Sequence, residues 1–389
     1  MRVAIFTDHD HDSSHPVTTA LNAVRRWTPF GCQTRIYAAA DRPRLWACGQ
    51  ELRREGVDLV HITTPGPVGL AGRWMAARMG VPVVGSYHAR PGDHVEAVSG
   101  SARLGRLIDD YAHWLYASSR VLLVPSQAAR TALERQGYRS DQLRVWPRGV
   151  DTRQYTPARA SGRLRSRWGV DDRRFAILCA GRLSADRGLP LIPRIQRELH
   201  RRGIAHRFIF AGEGPMVPQL QRDCPDGIFL GTLSTDQMAV TMASADILLF
   251  PSALEICGQV VLDAQASGLP VIVTDEGGPR EQVIHEATGM VCRSRSTRDL
   301  VEALVRLRHP AARRSMSLCA RQFAVAQDWS LAVQPLFATW TRVIGSPAGT
   351  ARPFASMRAA RLSESAPPHA AGFESATPVA GQHGDVTLH

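Results

Sequence analysis

Residues 250–281 read FPSALEICGQVVLDAQASGLPVIVTDEGGPRE, and this stretch predicts the fold more clearly than any other. An apolar run ends at Phe250, a loop carries Glu255, and a helix is expected from Gly258 to Ala266. A second apolar run follows at Val271–Thr274. Strand, loop, helix and strand in this order predict a βαβ unit on a parallel sheet.

The same alternation continues in both directions along the chain. In the first half the predicted strands are Val3–Thr7, Thr34–Ala38, Leu59–Thr63, Val81–Ser86 and Val121–Val124, with helices such as Pro67–Met79 and Gln127–Gln136 between them. In the second half they are Phe175–Ala180, Arg207–Ala211, Ile247–Phe250, Val271–Thr274 and a short strand near Met290. The sequence therefore predicts two doubly wound α/β domains in tandem.

Composition sets the expected segment boundaries. We expect an N-terminal domain at 1–165, a second domain at 166–328 and a final helical segment at 329–344, with its helix over Ser330–Val343. The polar, arginine-rich stretch around 155–168 is the expected linker. Residues 345–389 are rich in Ala, Ser, Pro and Gly and poor in large apolar side chains, so we expect a disordered tail.

The basic residues exclude several kinds of enzyme. The chain has 389 residues, with 47 basic and 35 acidic side chains and a formal net charge of +12, and it contains no lysine. Schiff-base aldolases, pyridoxal-phosphate enzymes and P-loop nucleotidases each need one lysine, so all three classes are excluded. Every fixed positive charge is a planar guanidinium, which grips phosphate or carboxylate through two N–H groups.

The remaining composition indicates a cytoplasmic globular protein. The seven cysteines are scattered and form no CxxC pair, which argues against a disulfide framework or a zinc site. No apolar run approaches the roughly 18 residues of a membrane span. The opening MRVAIFTDHD is typical of a first strand and not of a signal peptide.

The positive charge is concentrated in the first half. Residues 1–165 hold 23 arginines against 14 acidic residues, a net +9, whereas the rest hold 24 against 21. Such a surface can face nucleic acid, anionic lipid or an acidic substrate, or can simply be solvated. The arginines are spread out and no recognition motif accompanies them, so we do not expect nucleic acid as a partner.

The residues around Glu255 have the chemistry of a nucleotide-sugar site. Gly258 allows a ligand to approach the backbone, and the first helical turn, with Gln259 and Val260, offers N–H groups to an anionic phosphate. Glu255 and Asp263 are eight residues apart and can face one cleft. One carboxylate would bind sugar hydroxyls and the other ribose hydroxyls.

This stretch resembles the signature of the retaining GT-B glycosyltransferases of family 4, in which two glutamates are separated by seven residues. The match runs through Glu255, Gly258, Val260, Leu262, Ala264, Ala266, Gly268, Pro270 and Val271. It departs at Asp263, which replaces the second glutamate, and at Cys257, which replaces a phenylalanine. The resemblance implies a GT-B fold of two Rossmann-like domains with a cleft between them and a C-terminal helix that crosses back to the first domain.

Two further segments of the second half resemble the same family in the same order. Residues 180–188, AGRLSADRG, are similar to its donor-phosphate loop, which implies that Arg182 and Arg187 clamp the diphosphate, with Arg187 in place of the usual lysine. The turn Gly212-Glu213-Gly214-Pro215 is similar to its Gly-x-Gly-Pro turn beside the nucleotide.

The first half carries weaker elements of the same resemblance. Pro125-Ser126 and Arg148-Gly149-Val150-Asp151 resemble segments expected at the junction between the domains. HITTPGPVG, residues 61–69, and Ser86-Tyr87-His88 resemble elements of lipid- and glycan-modifying members, which makes His88 a candidate contact to the transferred sugar or the acceptor. A structural hydrogen bond is an equal alternative for His88.

The loop at residues 8–16, DHDHDSSHP, departs most from the family. Pro16 has no N–H group, which argues against phosphate binding by this loop. Neighbouring loop residues rarely converge on one ion, and the family holds its diphosphate without a metal, so we expect no metal site. The stretch Ser101–Arg120 has an apolar stripe beside Arg103 and Arg106; a core face is one interpretation and a membrane surface is the other.

The resemblance covers roughly residues 1–343 and implies an enzyme. The implied reaction transfers a hexose, preferably mannose, from a nucleotide diphosphate sugar to a hydroxyl of a lipid or glycan acceptor. GDP-mannose is the favoured donor and a UDP-hexose the alternative; no other cofactor is implied. A protein that binds nucleotide sugars without turnover and a sugar-nucleotide epimerase also remain open, as does peripheral contact with an anionic membrane at the inner face.

Overall fold

Two parallel six-stranded sheets form the framework of the chain. The structure, a computed structural model, describes residues 1–10, 16–171 and 173–346. The tail prediction from residue 347 onward and residues 11–15 of the first loop lie outside the described part of the chain. Within that part, no helix is both long enough and apolar enough to cross a membrane.

The first sheet has the strand order β2-β1-β3-β4-β5-β6. Its strands are β1 (Arg2–Phe6), β2 (Gln33–Tyr37), β3 (Leu59–Ile62), β4 (Val83–Ser86), β5 (Val121–Val124) and β6 (Leu143–Val145). The helices of this half are α1 (Pro16–Trp27), α2 (Leu45–Glu55), α3 (Pro67–Met79), α4 (Pro91–Ser99), α5 (Ala102–Tyr116) and α6 (Gln127–Arg135). Strands β3 and β4 are buried along their whole length, as expected of parallel strands covered on both faces.

The second sheet has the strand order β12-β11-β10-β7-β8-β9. Its strands are β7 (Phe175–Ala180), β8 (His206–Ala211), β9 (Ile228–Phe229), β10 (Ile247–Phe250), β11 (Val271–Thr274) and β12 (Gly289–Cys292). The helices are α7 (Gly162–Arg167), α8 (Ile192–Arg201), α9 (Val217–Asp223), α10 (Thr235–Ser244), α11 (Gln259–Ala266), α12 (Gly278–Glu281), α13 (Thr297–Leu307), α14 (Pro310–Val325), α15 (Trp329–Ala332) and α16 (Gln334–Gly345).

Alternation along β7 shows how both faces of the second sheet are covered. Ile177 and Cys179 pack into a core that includes α8 residues such as Ile195. Leu178, which points to the opposite face, packs into a separate core that includes Val261 of α11. Helix α11, which the signature stretch encodes, is therefore held against the sheet by its apolar side.

The predicted fold class is confirmed, and most predicted strands lie within one or two residues of the observed ones. The two strands that were not predicted, β6 and β9, have only three and two residues. Such short runs are set by pairing with a neighbouring strand, which leaves little pattern in the sequence. The expected linker also contains a short helix, α7, capped by the Ser161 side chain.

The predicted helix over Ser330–Val343 is wrong as a single element. The chain forms α15 and then α16, with a break at Val333. Pro335 lies in the first turn of α16, where its missing N–H group is tolerated, whereas it would break the interior of a longer helix.

The C-terminal helices pack on the first sheet. Trp340 of α16 is fully buried in a core shared with Ile5 of β1 and Leu59 of β3. The indole N–H of Trp146, which follows β6, donates to the carbonyl oxygen of Ala332 at 2.8 Å. The end of the described chain is thus joined to the sheet where the chain begins.

Candidate active site

The loops that follow β7 and β10 lie at the point where the second sheet reverses its strand order. The chain proceeds from β7 to β8 on one side, whereas β10 pairs with β7 on the other side. Ligands of open α/β sheets bind outside the carboxyl ends of the strands at such a point. The loop after β7 carries Arg182 and Arg187, and the loop after β10 carries Glu255.

Glu255 is held in place by the backbone of its own loop. Its Oε1 accepts hydrogen bonds from the N–H groups of Cys257 at 2.9 Å and Gly258 at 3.4 Å. Its Oε2 forms an ion pair with Nη1 of Arg187. Burial opposes ionisation of Glu255, but the Arg187 charge and these N–H groups outweigh it and lower the pKa. Glu255 is therefore a carboxylate at neutral pH.

The two arginines of the donor-phosphate loop are placed differently. Arg187 ends a 3₁₀ turn, Ala185–Arg187, and its guanidinium points at Glu255. Its Nε is buried and makes no hydrogen bond. Arg182 is exposed, and its side chain has no hydrogen bond or ion pair within the described residues. Of these two arginines, Arg187 alone contacts another predicted site residue, which is Glu255, within the described part of the chain.

Helix α11 begins beside Glu255 with free backbone donors. Gly258, its N-cap, has a φ of 69°, which favours glycine, and an added Cβ would lie 2.9 Å from Gln282 Oε1. The N–H groups of Gln259 and Val260 make no hydrogen bond to any described residue. The positive end of the helix and these two N–H groups form a site suited to phosphate.

Asp263 lies one turn further along α11 and is buried. Gln259 donates from Nε2 to Asp263 Oδ1 at 2.9 Å and to the carbonyl oxygen of Gly149 at 3.0 Å. Burial raises the pKa of Asp263 to about 7, with a further contribution from Asp151 and partial opposition from the Gln259 hydrogen bond. Replacing glutamate with aspartate therefore leaves a carboxyl group that is partly protonated at neutral pH.

The turn Gly212–Gly214 packs against the donor-phosphate loop through its backbone. The N–H of Leu183 donates to the carbonyl oxygen of Glu213 at 2.8 Å. Gly212 has a φ of 139°, and a Cβ there would lie 2.0 Å from the carbonyl oxygen of Gly181. The two loops can approach this closely only with glycine at 212. The Glu213 side chain is exposed.

His88 follows β4 in the first half and meets the signature loop of the second half. Its Nδ1 lies 2.8 Å from Nη2 of Arg148. Cys257 donates from Sγ to the carbonyl oxygen of His88 at 3.6 Å. The residue that replaces the family's phenylalanine therefore joins His88 to the loop of Glu255.

A second contact joins the halves at helix α6. Ser126, the N-cap of α6, donates from Oγ to the carbonyl oxygen of Ile256 at 2.9 Å. Glu281 of α12 accepts hydrogen bonds from the N–H groups of Gln127 at 2.8 Å and Ala128 at 2.6 Å. A carboxylate at a helix N-terminus is stabilising, so Glu281 caps a helix of the other half. Ser126, of the segment Pro125-Ser126, thus contacts the second half.

The sequence gives little sign of Glu281 or of the Arg148–His88 contact. Glu281 is separated from Gln127 by 154 residues and Arg148 from His88 by 60, so no local spacing encodes either pair. Arg148 lies in the family-like segment Arg148-Gly149-Val150-Asp151, which the sequence alone assigns to no particular contact.

Two motif residues of the first half have structural roles. His61 of β3 is buried, lies 2.7 Å from Ser86 Oγ, and has a pKa that burial lowers to about 3. Asp8 accepts hydrogen bonds from Thr64 Oγ1 at 2.7 Å and from the N–H of Val68 at 2.9 Å, which caps the start of α3. Among the residues that the structure describes, no group of His, Cys, Asp and Glu could hold a metal ion.

Comparisons with known proteins identify the family to which this fold belongs. Residues 1–154 match the profile of Glycosyltransferase Family 4, and residues 174–309 match that of Glycosyl transferases group 1. The crystal structure of Anabaena HepE in complex with UDP and glucose has the same fold, with a TM-score of 0.70 at 16% identity over 88% of this chain and 100% of that one. The fold and the site define a GT-B glycosyltransferase. The chain belongs to family 4 of these enzymes.

Proteins with similar sequences include a mannosyltransferase and a sulfoquinovosyl transferase. The chain is 29% identical over 296 residues to a GDP-mannose-dependent α-mannosyltransferase of Mycobacterium tuberculosis, covering 76% of this chain and 75% of that one. It is 29% identical over 292 residues to the sulfoquinovosyl transferase SQD2 of Arabidopsis thaliana, covering 72% of this chain. The matched region spans only 56% of the length of the plant protein.

The contact between Glu281 and α6 predicts a measurable coupling of the two halves. Glu281→Gln should lower the free energy of unfolding by about 1 kcal/mol, because the amide loses the charge and one acceptor oxygen of the cap. It should also speed hydrogen exchange at the amides of Gln127 and Ala128, which mass spectrometry of peptides spanning α6 would detect. Glu276→Gln, at an exposed neighbour, is the matched control. Unchanged exchange in α6 would contradict the cap.

The raised pKa of Asp263 predicts a pH-dependent stability. The native carboxyl group holds its proton more tightly than the unfolded one, whose pKa is 3.8, so the free energy of unfolding should fall as pH rises towards 7 and then level off. Asp263→Asn keeps an oxygen acceptor for Gln259 and removes this charge. Its advantage over the wild type should be greater at pH 8 than at pH 5, by up to about 3 kcal/mol in urea denaturation. An equal difference at both pH values would contradict the buried carboxyl group.

Proposed function

We propose that the protein is a retaining hexosyltransferase that moves a sugar from a nucleotide diphosphate donor to a hydroxyl of a lipid or glycan acceptor. The observation that carries this proposal is the pairing of Arg187 with Glu255 beside the free N–H groups of α11, at the switch point of the second sheet. This arrangement offers a cation and backbone donors to a diphosphate, and a fixed carboxylate to a sugar.

The donor proposed first is GDP-mannose. Several relatives carry the name GDP-mannose-dependent α-mannosyltransferase, including proteins of M. tuberculosis and Mycolicibacterium smegmatis. A UDP-hexose is the alternative, which is supported by the UDP and glucose bound to HepE at the level of fold. We assign donor binding to the second half, residues 166–328, and acceptor binding to residues 1–165.

The donor diphosphate would lie between the loop after β7 and the start of α11. Arg187 and the exposed Arg182 would stabilise the charge that develops on the departing diphosphate. The N–H groups of Gln259 and Val260 would bind a phosphate oxygen, and the turn Gly212–Gly214 would support the nucleotide from behind the loop.

Binding of the diphosphate would change the partner of Arg187. In the ligand-free protein its guanidinium neutralises Glu255, which is 16% exposed as a side chain. A diphosphate offers a stronger counter-charge and would compete for Arg187. Glu255, still held by the N–H groups of Cys257 and Gly258, would then accept hydrogen bonds from the sugar hydroxyls.

The ribose would reach the Asp263 carboxylate from its unoccupied side. Gln259 occupies Oδ1, whereas Oδ2 accepts no hydrogen bond from any described residue. A ribose hydroxyl can donate to Oδ2 and would favour the ionised form of the carboxyl group. Donor binding should therefore be accompanied by release of a proton from part of the population at neutral pH.

The chemistry proposed is a front-face displacement with retention. The bond between the sugar C1 and the diphosphate oxygen breaks, and a bond from C1 to the acceptor oxygen forms on the same face. The proton of the acceptor hydroxyl passes to the departing phosphate oxygen. Glu255 remains a hydrogen-bond acceptor for the sugar in this scheme and forms no covalent bond.

A surface on the first half is suited to a lipid acceptor. Leu70 and Trp74 of α3 are 39% and 38% exposed, and Leu104 and Leu107 of α5 are 41% and 48% exposed. The two helices are neighbours, because Arg73 of α3 stacks on Trp114 of α5 at 3.9 Å. The arginines on these helices would attract anionic headgroups while the apolar side chains enter the interface. We propose peripheral contact with an anionic membrane through this face.

A donor assay tests the activity directly. The protein would be incubated with GDP-mannose or UDP-glucose and with mixed acceptor lipids, and release of nucleotide diphosphate and sugar incorporation would be measured. GDP-mannose should give acceptor-dependent release, and Glu255→Gln should lower the rate by about 100-fold or more, because the fixed carboxylate is lost.

Glu276→Gln should keep the wild-type rate, since the Glu276 side chain is exposed and makes no ion pair with Arg187. If neither donor released nucleotide diphosphate, with or without the acceptor lipids, the proposed activity would be contradicted. Donor conversion without transfer to any acceptor would favour an epimerase instead.

A further inference from the structure

Arg148 is a buried cation that forms no ion pair with any carboxylate of the described residues. The residue is 3% exposed, and its guanidinium lies at the contact between the two halves. Nη2 lies 2.8 Å from Nδ1 of His88 and 3.6 Å from Sγ of Cys257, and Nη1 lies 3.5 Å from the carbonyl oxygen of Pro16. Its Nε is buried and makes no hydrogen bond. No ion pair joins Arg148 to an acidic side chain within the described residues.

Burial of an unpaired guanidinium lowers the stability of the folded protein. Removing a guanidinium from water without an anionic partner is unfavourable, and an apolar side chain of similar size would be more stable in its place. Arg148 is almost completely enclosed by the part of the protein that the structure describes. Its effect on the site must pass through the groups it touches, His88 and Cys257.

The chemistry of the contact fixes the state of His88. A guanidinium has only donors, so Nδ1 of His88 must accept the hydrogen bond and carry no proton. A neutral imidazole with an unprotonated Nδ1 has its proton on Nε2. A second proton on Nδ1 would place two N–H groups and two positive charges against each other.

We propose that Arg148 is a positioning residue that holds His88 as the neutral Nε2–H tautomer. His88 then serves the reaction as a hydrogen-bond donor, whose partner is an oxygen atom of the transferred sugar, and does not serve as a proton acceptor. Cys257 extends this arrangement to the loop of Glu255, since its Sγ contacts both Arg148 and the His88 carbonyl oxygen. The role of His88 towards the sugar rests on the proposed function; its tautomer does not.

The tautomer is measurable without turnover. Protein labelled with ¹⁵N-histidine would be studied by long-range ¹H–¹⁵N correlation at pH 7, with the His88 signals identified by their loss in His88→Gln. The ligand-free wild type should show a protonated Nε2 and an unprotonated Nδ1. A protonated Nδ1 would overturn the proposal, and this measurement needs no variant of Arg148.

Variants of Arg148 test whether this arginine determines the tautomer of His88. Arg148→Met, which keeps the volume but not the donors, should convert the His88 signals to a mixture of tautomers and lower kcat roughly 10- to 100-fold, with a smaller change in KM for the donor. Arg148→Lys, which keeps a charged donor, should retain more of the Nε2–H form. A His88 spectrum unchanged in Arg148→Met would overturn the proposal whatever the rate.

A control variant separates this effect from the loss of any arginine that is hydrogen-bonded to backbone carbonyl oxygens. Arg321 donates to the carbonyl oxygens of Tyr155 at 2.7 Å and Thr152 at 3.0 Å and has no contact with His88. Arg321→Met should lower Tm while the His88 signals stay as in the wild type. If the wild type shows the expected tautomer but transfers no sugar, the proposed function fails and the assignment of Arg148 stands.

Discussion

The ion pair between Arg187 and Glu255 is the interaction on which the site depends. It joins the loops after β7 and β10, which the strand order of the second sheet places side by side. Glu255 is in turn fixed by the N–H groups of Cys257 and Gly258, at the start of α11. A buried carboxylate with these partners stays ionised. In the proposed reaction, a diphosphate at the helix N-terminus would compete with it for Arg187.

Several contacts between the halves lie in the loop of Glu255 or in helix α12, which follows it on the sheet. Ile256 is held by Ser126, Cys257 touches both His88 and Arg148, and Glu281 caps α6. Three consecutive residues, 255–257, therefore contact Arg187, the first half and the buried cation. A change in the relative position of the halves would therefore displace the loop that holds Glu255.

The sequence predicts the fold well because buried parallel strands are continuous apolar runs, such as Leu59–Ile62 and Phe175–Ala180. Glu255 and Arg187 could be found because local motifs carry them. The Arg148–His88 pair and the Glu281 cap could not, since each joins residues distant in the chain. The raised pKa of Asp263 could not be predicted from the sequence either, because it follows from burial of the carboxyl group in the folded chain.

The most direct test of the account is calorimetric titration of GDP and UDP into the wild type and Glu255→Gln at fixed ionic strength. If Arg187 leaves Glu255 to bind the diphosphate, removing the carboxylate charge frees the arginine in advance. The account predicts that Glu255→Gln binds the nucleotide diphosphate at least as tightly as the wild type, although it transfers sugar about 100-fold more slowly or less. Binding weakened by about tenfold or more, roughly 1.4 kcal/mol, would contradict it.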